Sequence, residues 1–288
     1  MSELIEEVEE ALIISDWDAK VEQLMHDLNT GTKKLSFSSI KAFRNSPRDF
    51  LDYQFRPKEQ TDAMKLGVVI HCLVLEPEKF DEKYTIMDDS KKVEEIGGGN
   101  PRNTNLYKEW KANFLASAAG EVIPLKMYQQ AQIISGNILN NRASAKVLSI
   151  CDGISEEHIE WDYKNFKFHG YIDKSGSKAI CDIKLVPDAS PRKAQRTIID
   201  MWYHGQAAMY TTGKGVRLPY YILCADRKGG VSVHKIHKSL LDHGLEEYSN
   251  IIDKFNDCLF KENFGMSYDF WAESYDGIFI VDKPAYLY

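Results

Sequence analysis

The 288-residue chain has no uninterrupted apolar run approaching the roughly 20 residues a membrane-spanning helix needs. Its first residues are acidic where a secretory leader would be basic, so neither a span nor export is expected, and the cytoplasm is the expected compartment. Cysteines are few and scattered, at Cys72, Cys151, Cys181, Cys224 and Cys258, with no C-x-x-C pair. That spacing argues against a zinc ribbon, a disulfide framework or an iron–sulfur cluster, and leaves buried free thiols as the expectation. Neither an internal repeat nor a low-complexity tract is visible. An excess of positive charge is also missing: the formal net charge is -7, the wrong sign for a protein that binds phosphate through Lys and Arg. The deficit is local, however. Residues 1–30 hold nine acids and a single base, Lys20, so the rest of the chain carries +1. The body is close to neutral and can hold both an acidic site and a basic groove.

What is present is a chain with 43% apolar residues, enough for a large core. In residues 3–14, Leu4, Val8 and Leu12 recur at helical spacing on an acidic background, which marks residues 1–30 as an acidic helical extension of a domain spanning 31–288. Ser36 or Ser38 can cap a helix through Phe43, Ser46-Pro47 can start another through Tyr53, and a longer helix is expected from Thr61 to Val74. Residues 91–105, with Gly97-Gly98-Gly99-Asn100-Pro101 inside, read as a mobile loop. Helices then fill 105–149. Three short strands follow as a meander, at Ile154–Trp161, Phe166–Ile172 and Lys178–Ile183. A basic helix (Pro191–Asp200), a second helix (Tyr203–Thr212), strands at Pro219–Ala225 and Val231–Ile236, and a long helix (Ser239–Phe260) complete the pattern. The expected class is α/β, a small mixed sheet flanked by helices.

The chemistry-bearing residues converge on the meander. Asp173 ends one strand and Asp182 lies on the next, so adjacent antiparallel strands can bring the two carboxylates together. Magnesium takes hard oxygen ligands and keeps several waters, so two carboxylates and a main-chain carbonyl suffice to hold it. Lys184, two residues beyond Asp182, leaves the same face of the strand. There an ammonium can orient an attacking water and offset negative charge in a phosphodiester transition state. A D-x-K pattern also occurs on ordinary solvated strands, but the apolar neighbours Ala179, Ile180, Cys181, Ile183 and Leu185 point to a buried setting. Arg192, Lys193 and Arg196 on the following helix can line the track of a DNA strand or simply form a solvated helix face.

Four motifs, Gly67-x-x-x-His71, Gly170-x-x-Asp173, Asp182-x-Lys184 and Gln206-x-x-x-Tyr210, stand in the order and approximate spacing of the RecB-type branch of the PD-(D/E)xK nucleases. Within that branch residues 35–275 resemble the RecE-like phage and prophage exonucleases of the exodeoxyribonuclease VIII type, most closely along Leu66–Phe80. The resemblance implies a restriction-endonuclease-like core and a hydrolase that uses magnesium, with manganese as a substitute. Asp173, Asp182 and the carbonyl of Ile183 would hold the metal, His71 would be a further metal ligand or a group supporting the ligands, and Lys184 would serve the water. Glu156, with Glu157 as its rival, would be an additional acid, and Gln206 and Tyr210 would face the site or the DNA. Lys41, Arg44 and Arg48 lie where related exonucleases hold a terminal 5′ phosphate, and Arg44 is the preferred candidate because its forked guanidinium suits phosphate. Ile172 stands where the superfamily's name implies proline. The implied activity is 5′ to 3′ degradation of one strand of linear duplex DNA by a homo-oligomeric ring working with a single-strand annealing protein in recombination. The alternatives are a nuclease for single strands, flaps or internal sites, and a non-catalytic DNA-binding module of the same fold.

Overall fold

The computed structural model describes residues 17–56, 59–261 and 271. The apolar stripe of residues 3–14 lies outside the described residues, but a helix over residues 17–30, α1, brings Leu24 and Leu28 into the core. Helix α2 (Phe37–Asn45) begins with a capping box in which Ser36 accepts from the Ser39 amide and Ser39 returns the bond. Ser46 caps α3 (Pro47–Phe55), with Pro47 in the first turn, where a missing N–H costs nothing. Thr61 caps α4 (Asp62–Leu75). A short helix α5 (Phe80–Lys83) leads into strand β1 (Tyr84–Met87).

The segment expected as a loop is instead ordered: α6 (Ser90–Ile96) is followed by the glycine turn and a 3₁₀ turn at Pro101–Asn103. The Asp89 carboxylate accepts from Arg102 at 2.7 and 3.1 Å and from the Tyr107 hydroxyl at 2.6 Å, closing the glycine stretch. Helix α7 (Asn105–Ser117) then precedes strand β2 (Glu121–Pro124), which pairs in parallel with β1, a small second sheet that the sequence pattern does not reveal. Helices α8 (Leu125–Asn140) and α9 (Arg142–Ile150) lead into the main sheet.

That sheet has the order β3-β4-β5-β6-β7, from β3 (Ser155–Tyr163), β4 (Phe166–Ser175), β5 (Ile180–Leu185), β6 (Tyr220–Ala225) and β7 (Val231–Lys235). The β3, β4 and β5 meander is antiparallel, and β5 pairs with β6 in parallel through a crossover that carries α10 (Pro191–Asp200) and α11 (Tyr203–Lys214). Helix α12 (Lys238–Lys261) closes the described fold. Alternation along the central strands feeds two cores. Ile180, Tyr220, Ile222 and Cys224 pack with α2, α10, α11 and α12, while Cys181, Ile183, Leu223 and Ala225 pack with α4, α8 and α9. The sheet is thus covered by helices on both faces. All five cysteines are buried and free. Among the described residues no helix is long and apolar enough to cross a membrane.

Candidate metal centre

Strands β4 and β5 pair at Lys174–Cys181 and Ser175–Ile180 and then part. The next positions are Asp173 and Asp182. Into the opening between the strands the Asp173 carboxylate accepts the Ile183 amide at 2.6 Å, a buried charge-assisted bond that replaces the ladder. On the other side of Asp173, β3 pairs Ser155 with Lys174 and Glu157 with Ile172, which places Glu156 opposite Asp173. Glu156 has a left-handed backbone (φ 50°), a conformation that costs a non-glycine residue about 1 kcal/mol or more and that recurs at functional sites. Its neighbour Glu157 turns elsewhere, into an ion pair with Lys214 at 2.7 Å and a hydrogen bond from Ser175. Of the two rival glutamates, Glu156 is therefore the one at the site.

His71 reaches the same point from α4. Its Nε2 lies 2.9 Å from the Ile183 carbonyl, and because a carbonyl only accepts, Nε2 carries the hydrogen. Nδ1 then faces the Glu156 and Asp173 carboxylates, each at 3.6 Å. Burial alone would lower the His71 pKa, but Asp173 and Glu156 outweigh it and raise it to about 9, so in metal-free protein at neutral pH an imidazolium lies against the two carboxylates, and a cation at Nδ1 would take the place of its proton.

Asp182 and Lys184 project toward α11. Burial and the nearby Asp173 charge push the Asp182 carboxyl up to about 7 against the pull of Lys184. Among the described residues neither of the two buried Asp182 oxygens has a hydrogen bond, and the Lys184 ammonium, 2.5 Å from Oδ2, meets them as an ion pair. For Lys184 burial works toward a lower pKa, and Asp182 and Asp173 more than offset it, holding the ammonium protonated. Gln206 and Tyr210 share a face of α11, joined by a hydrogen bond from the Gln206 amide to the Tyr210 oxygen at 3.2 Å. Both are buried, so they support the site from within and do not line an open groove. Tyr210 also explains the glycine of the Gly170-x-x-Asp173 motif: a Cβ at Gly170 would stand 2.6 Å from the Tyr210 ring. One further residue was not singled out from the sequence. Tyr203, one turn before Gln206, places its ring centroid 5.1 Å from the Lys184 ammonium, and its position three residues ahead of Gln206 was the available signal.

The donors fit a hard divalent cation. His71, Glu156 and Asp173 offer ligand atoms that all lie within 4.8 Å of one another. The His71 Nε2–H bond to a main-chain carbonyl is the support a metal-ligating imidazole ordinarily has, and it leaves Nδ1 facing the carboxylates. Asp182 supplies a buried carboxylate without a hydrogen bond, a group that added positive charge would relieve. The Ile183 carbonyl, expected as a ligand, already accepts from His71, with one lone pair remaining. A cavity of about 940 Å³ opens over these residues, lined by His71, Glu156, Ile183 and Lys184 together with Gly67 and Val68 of α4.

The basic residues divide. Lys41 shares the Tyr203 ring with Lys184, at 5.7 Å, and burial, then Lys184 and Arg44, lower its pKa. Arg44 stacks over Trp202 at 5.4 Å and lies 3.6 Å from Glu247 Oε1, lining a separate cavity of about 820 Å³ with Lys254 and Trp271. Arg48, Arg192, Lys193 and Arg196 are exposed; Lys193 pairs with Asp188 at 2.8 Å and Arg196 contacts Asp200 at 3.6 Å. These four do not line the 940 Å³ cavity. A second group, His204, His243 and Glu247, also has metal-ligand spacing. Here, though, Glu247 Oε2 accepts from Trp202 and meets His204, both at 2.9 Å, while Arg44 contacts the other oxygen, so protein donors already satisfy the carboxylate.

A family model described as a PDDEXK-like domain of unknown function (DUF3799) matches residues 36–267. Among solved structures, a protein named "Putative exonuclease" from Eubacterium rectale superposes with a TM-score of 0.55 at 15% identity, covering 88% of this chain and 91% of that one. At that identity the likeness is one of fold. No curated protein sequence matches the chain.

Proposed function

The chain belongs to this PDDEXK-like family, and from that premise we propose that it is a magnesium-dependent nuclease, an exodeoxyribonuclease that resects one strand of linear duplex DNA. The observation that carries the reading is the gap between β4 and β5. There Asp173, Glu156 and His71 stand within ligand spacing, and beside them the buried Asp182 meets the half-buried Lys184 as an ion pair. A divalent cation held by Asp173, Asp182, Glu156 and His71 would supply Lewis-acid polarisation of a phosphodiester and an activated water.

The chain's own residues do the rest. The Ile183 peptide ties β5 to Asp173 through its amide and to His71 through its carbonyl, so the acids and the imidazole keep their spacing without rearrangement. Lys184, kept cationic by Asp182 and Asp173, places a fixed positive charge where phosphate charge develops. Lys41 adds a second one beside the same ring. Asp182 is buried and Lys184 half-buried, so these charges act through a lower dielectric than bulk water, which strengthens each of these terms.

The choice of linear duplex ends, the 5′ to 3′ direction, the ring assembly and the annealing partner rest on the likeness to RecE-type exonucleases. Duplexes labelled at either end, with and without a 5′ phosphate, and a covalently closed circle separate these possibilities. The reading expects mononucleotides from the 5′-labelled end of linear duplex and an intact circle. Cutting of the circle, or cleavage confined to single strands or flaps, would move the assignment to another nuclease of the same fold. The solution mass of the full chain tests the ring.

A further inference from the structure

Trp202 immediately precedes α11 in a left-handed conformation (φ 59°), which a bulky residue adopts only where its surroundings compel it. They do so here. The indole is fully buried, stacks on Phe37 with centroids 5.6 Å apart, and donates Nε1–H to Glu247 at 2.9 Å. Gly205 closes the corner, because a Cβ there would run into the indole ring. This rigid corner sets where α11 starts, and the first residue it presents is Tyr203. The Tyr203 ring carries the Lys184 ammonium at 5.1 Å and the Lys41 ammonium at 5.7 Å. Lys184 is thus held from two directions, by Asp182 at 2.5 Å and by an aromatic ring. Tyr203, Gln206 and Tyr210 fall at i, i+3 and i+7, so all three stand on one face of α11.

We propose that Tyr203 is a positioning residue for Lys184, its ring confining the ammonium beside Asp182 by a cation–π contact while tolerating Lys41 on the same ring. The proposal rests on the nuclease reading for its effect on rate, but its geometry can be tested without activity. An ammonium held only by a carboxylate rotates about a flexible four-carbon stem, and the ring is a second contact that limits that rotation. The aromatic face supplies the hold, and the phenolic hydroxyl does not contribute.

The experiment compares wild type, Tyr203→Leu and Tyr203→Phe as full-length proteins. In lysine-labelled protein the Lys184 Cε protons, assigned by loss of their signal in Lys184→Arg, are expected upfield of free lysine through the ring current. That shift should vanish in Tyr203→Leu and persist in Tyr203→Phe. In steady-state cleavage of linear duplex with magnesium, Tyr203→Leu should lower kcat about tenfold, the scale of a partly desolvated cation–π contact. Tyr203→Phe should recover most of the lost rate. An unshifted Lys184 signal in wild type, a shift unchanged in Tyr203→Leu, or equal losses of kcat in the two variants would overturn the proposal. If wild-type protein does not cleave, the nuclease reading fails while the proton shift still decides whether the ring holds the lysine.

Discussion

Gly170→Ala is the substitution that most directly probes how the fold supports the site. The added methyl carbon would lie 2.6 Å from Tyr210 Cε1 and 3.1 Å from Cζ, whereas unstrained carbon contacts lie at about 3.5–4.0 Å. The ring would have to retreat by about 1 Å, and it has little freedom to do so. Tyr210 is 5% exposed, bonded through its oxygen to Gln206, and set edge-on to Trp161 with centroids 6.5 Å apart. Overpacking of this kind costs about 1–3 kcal/mol, which lowers the melting temperature by about 2–10 °C in a domain of this size. Urea denaturation monitored by tryptophan fluorescence should show a lower midpoint with an unchanged slope. The mechanism is checked by a double-mutant cycle with Tyr210→Ala. That substitution alone opens a cavity worth about 3–5 kcal/mol, but it removes the clash, so the double variant should be more stable than additivity expects by about 1 kcal/mol or more. A Gly170→Ala protein as stable as wild type, or a strictly additive cycle, would show that the Tyr210 ring does not bar a side chain at position 170.

The charge arrangement gives two more predictions. His71 has a folded pKa raised to about 9 by Asp173 and Glu156, against about 6.5 unfolded. The stability it contributes is therefore fully present below pH 6.5 and lost as the pH rises through 9, up to about 3 kcal/mol in all. In chelator-treated buffer the stability advantage of wild type over His71→Gln should shrink from pH 6 to pH 10, and a constant difference would contradict the assignment. Magnesium in about hundredfold excess over its dissociation constant should stabilise the folded chain by about 2.7 kcal/mol, read as a rise in melting temperature that Asp173→Asn removes. An equal rise in that variant would place the cation elsewhere.

Most of the fold was legible in the sequence because its elements carry strong local signals. Ser36 and Ser46-Pro47 announce two helices by capping, the alternation in Phe166–Ile172 marks a strand with one face on the core, and the unbroken apolar run Pro219–Ala225 marks one covered on both faces. The paired strands β1 and β2 were not legible. Four residues each, and separated by two helices, they leave no periodicity to read. The order in residues 90–105 was hidden for another reason: a single carboxylate, Asp89, binds Arg102 and Tyr107 across the glycines, and composition does not encode such a contact. At the site, the spacing of Asp173, Asp182 and Lys184 on adjacent strands was readable, and the closeness of Glu156 to His71 was offered by resemblance. The parting of the two strands was not readable, nor was the Ile183 peptide that bridges them. The basic residues fared worst, since exposed positive charge on α10 reads identically in sequence whether it faces DNA or water.

We propose that Asp173, Asp182 and Lys184 form a metal-dependent phosphodiester-cleaving centre. Its most direct test is the release of acid-soluble nucleotides from linear duplex DNA by the purified full-length chain, with magnesium or with chelator. Wild type, Asp182→Asn and Lys184→Ala are measured in parallel. Wild type should release nucleotides with magnesium and not with chelator, and each variant should fall by about 10²–10³-fold, the scale of losing one preorganised charge from a transition state. Wild-type protein that leaves the duplex intact with magnesium, or variants that cut at the wild-type rate, would contradict it.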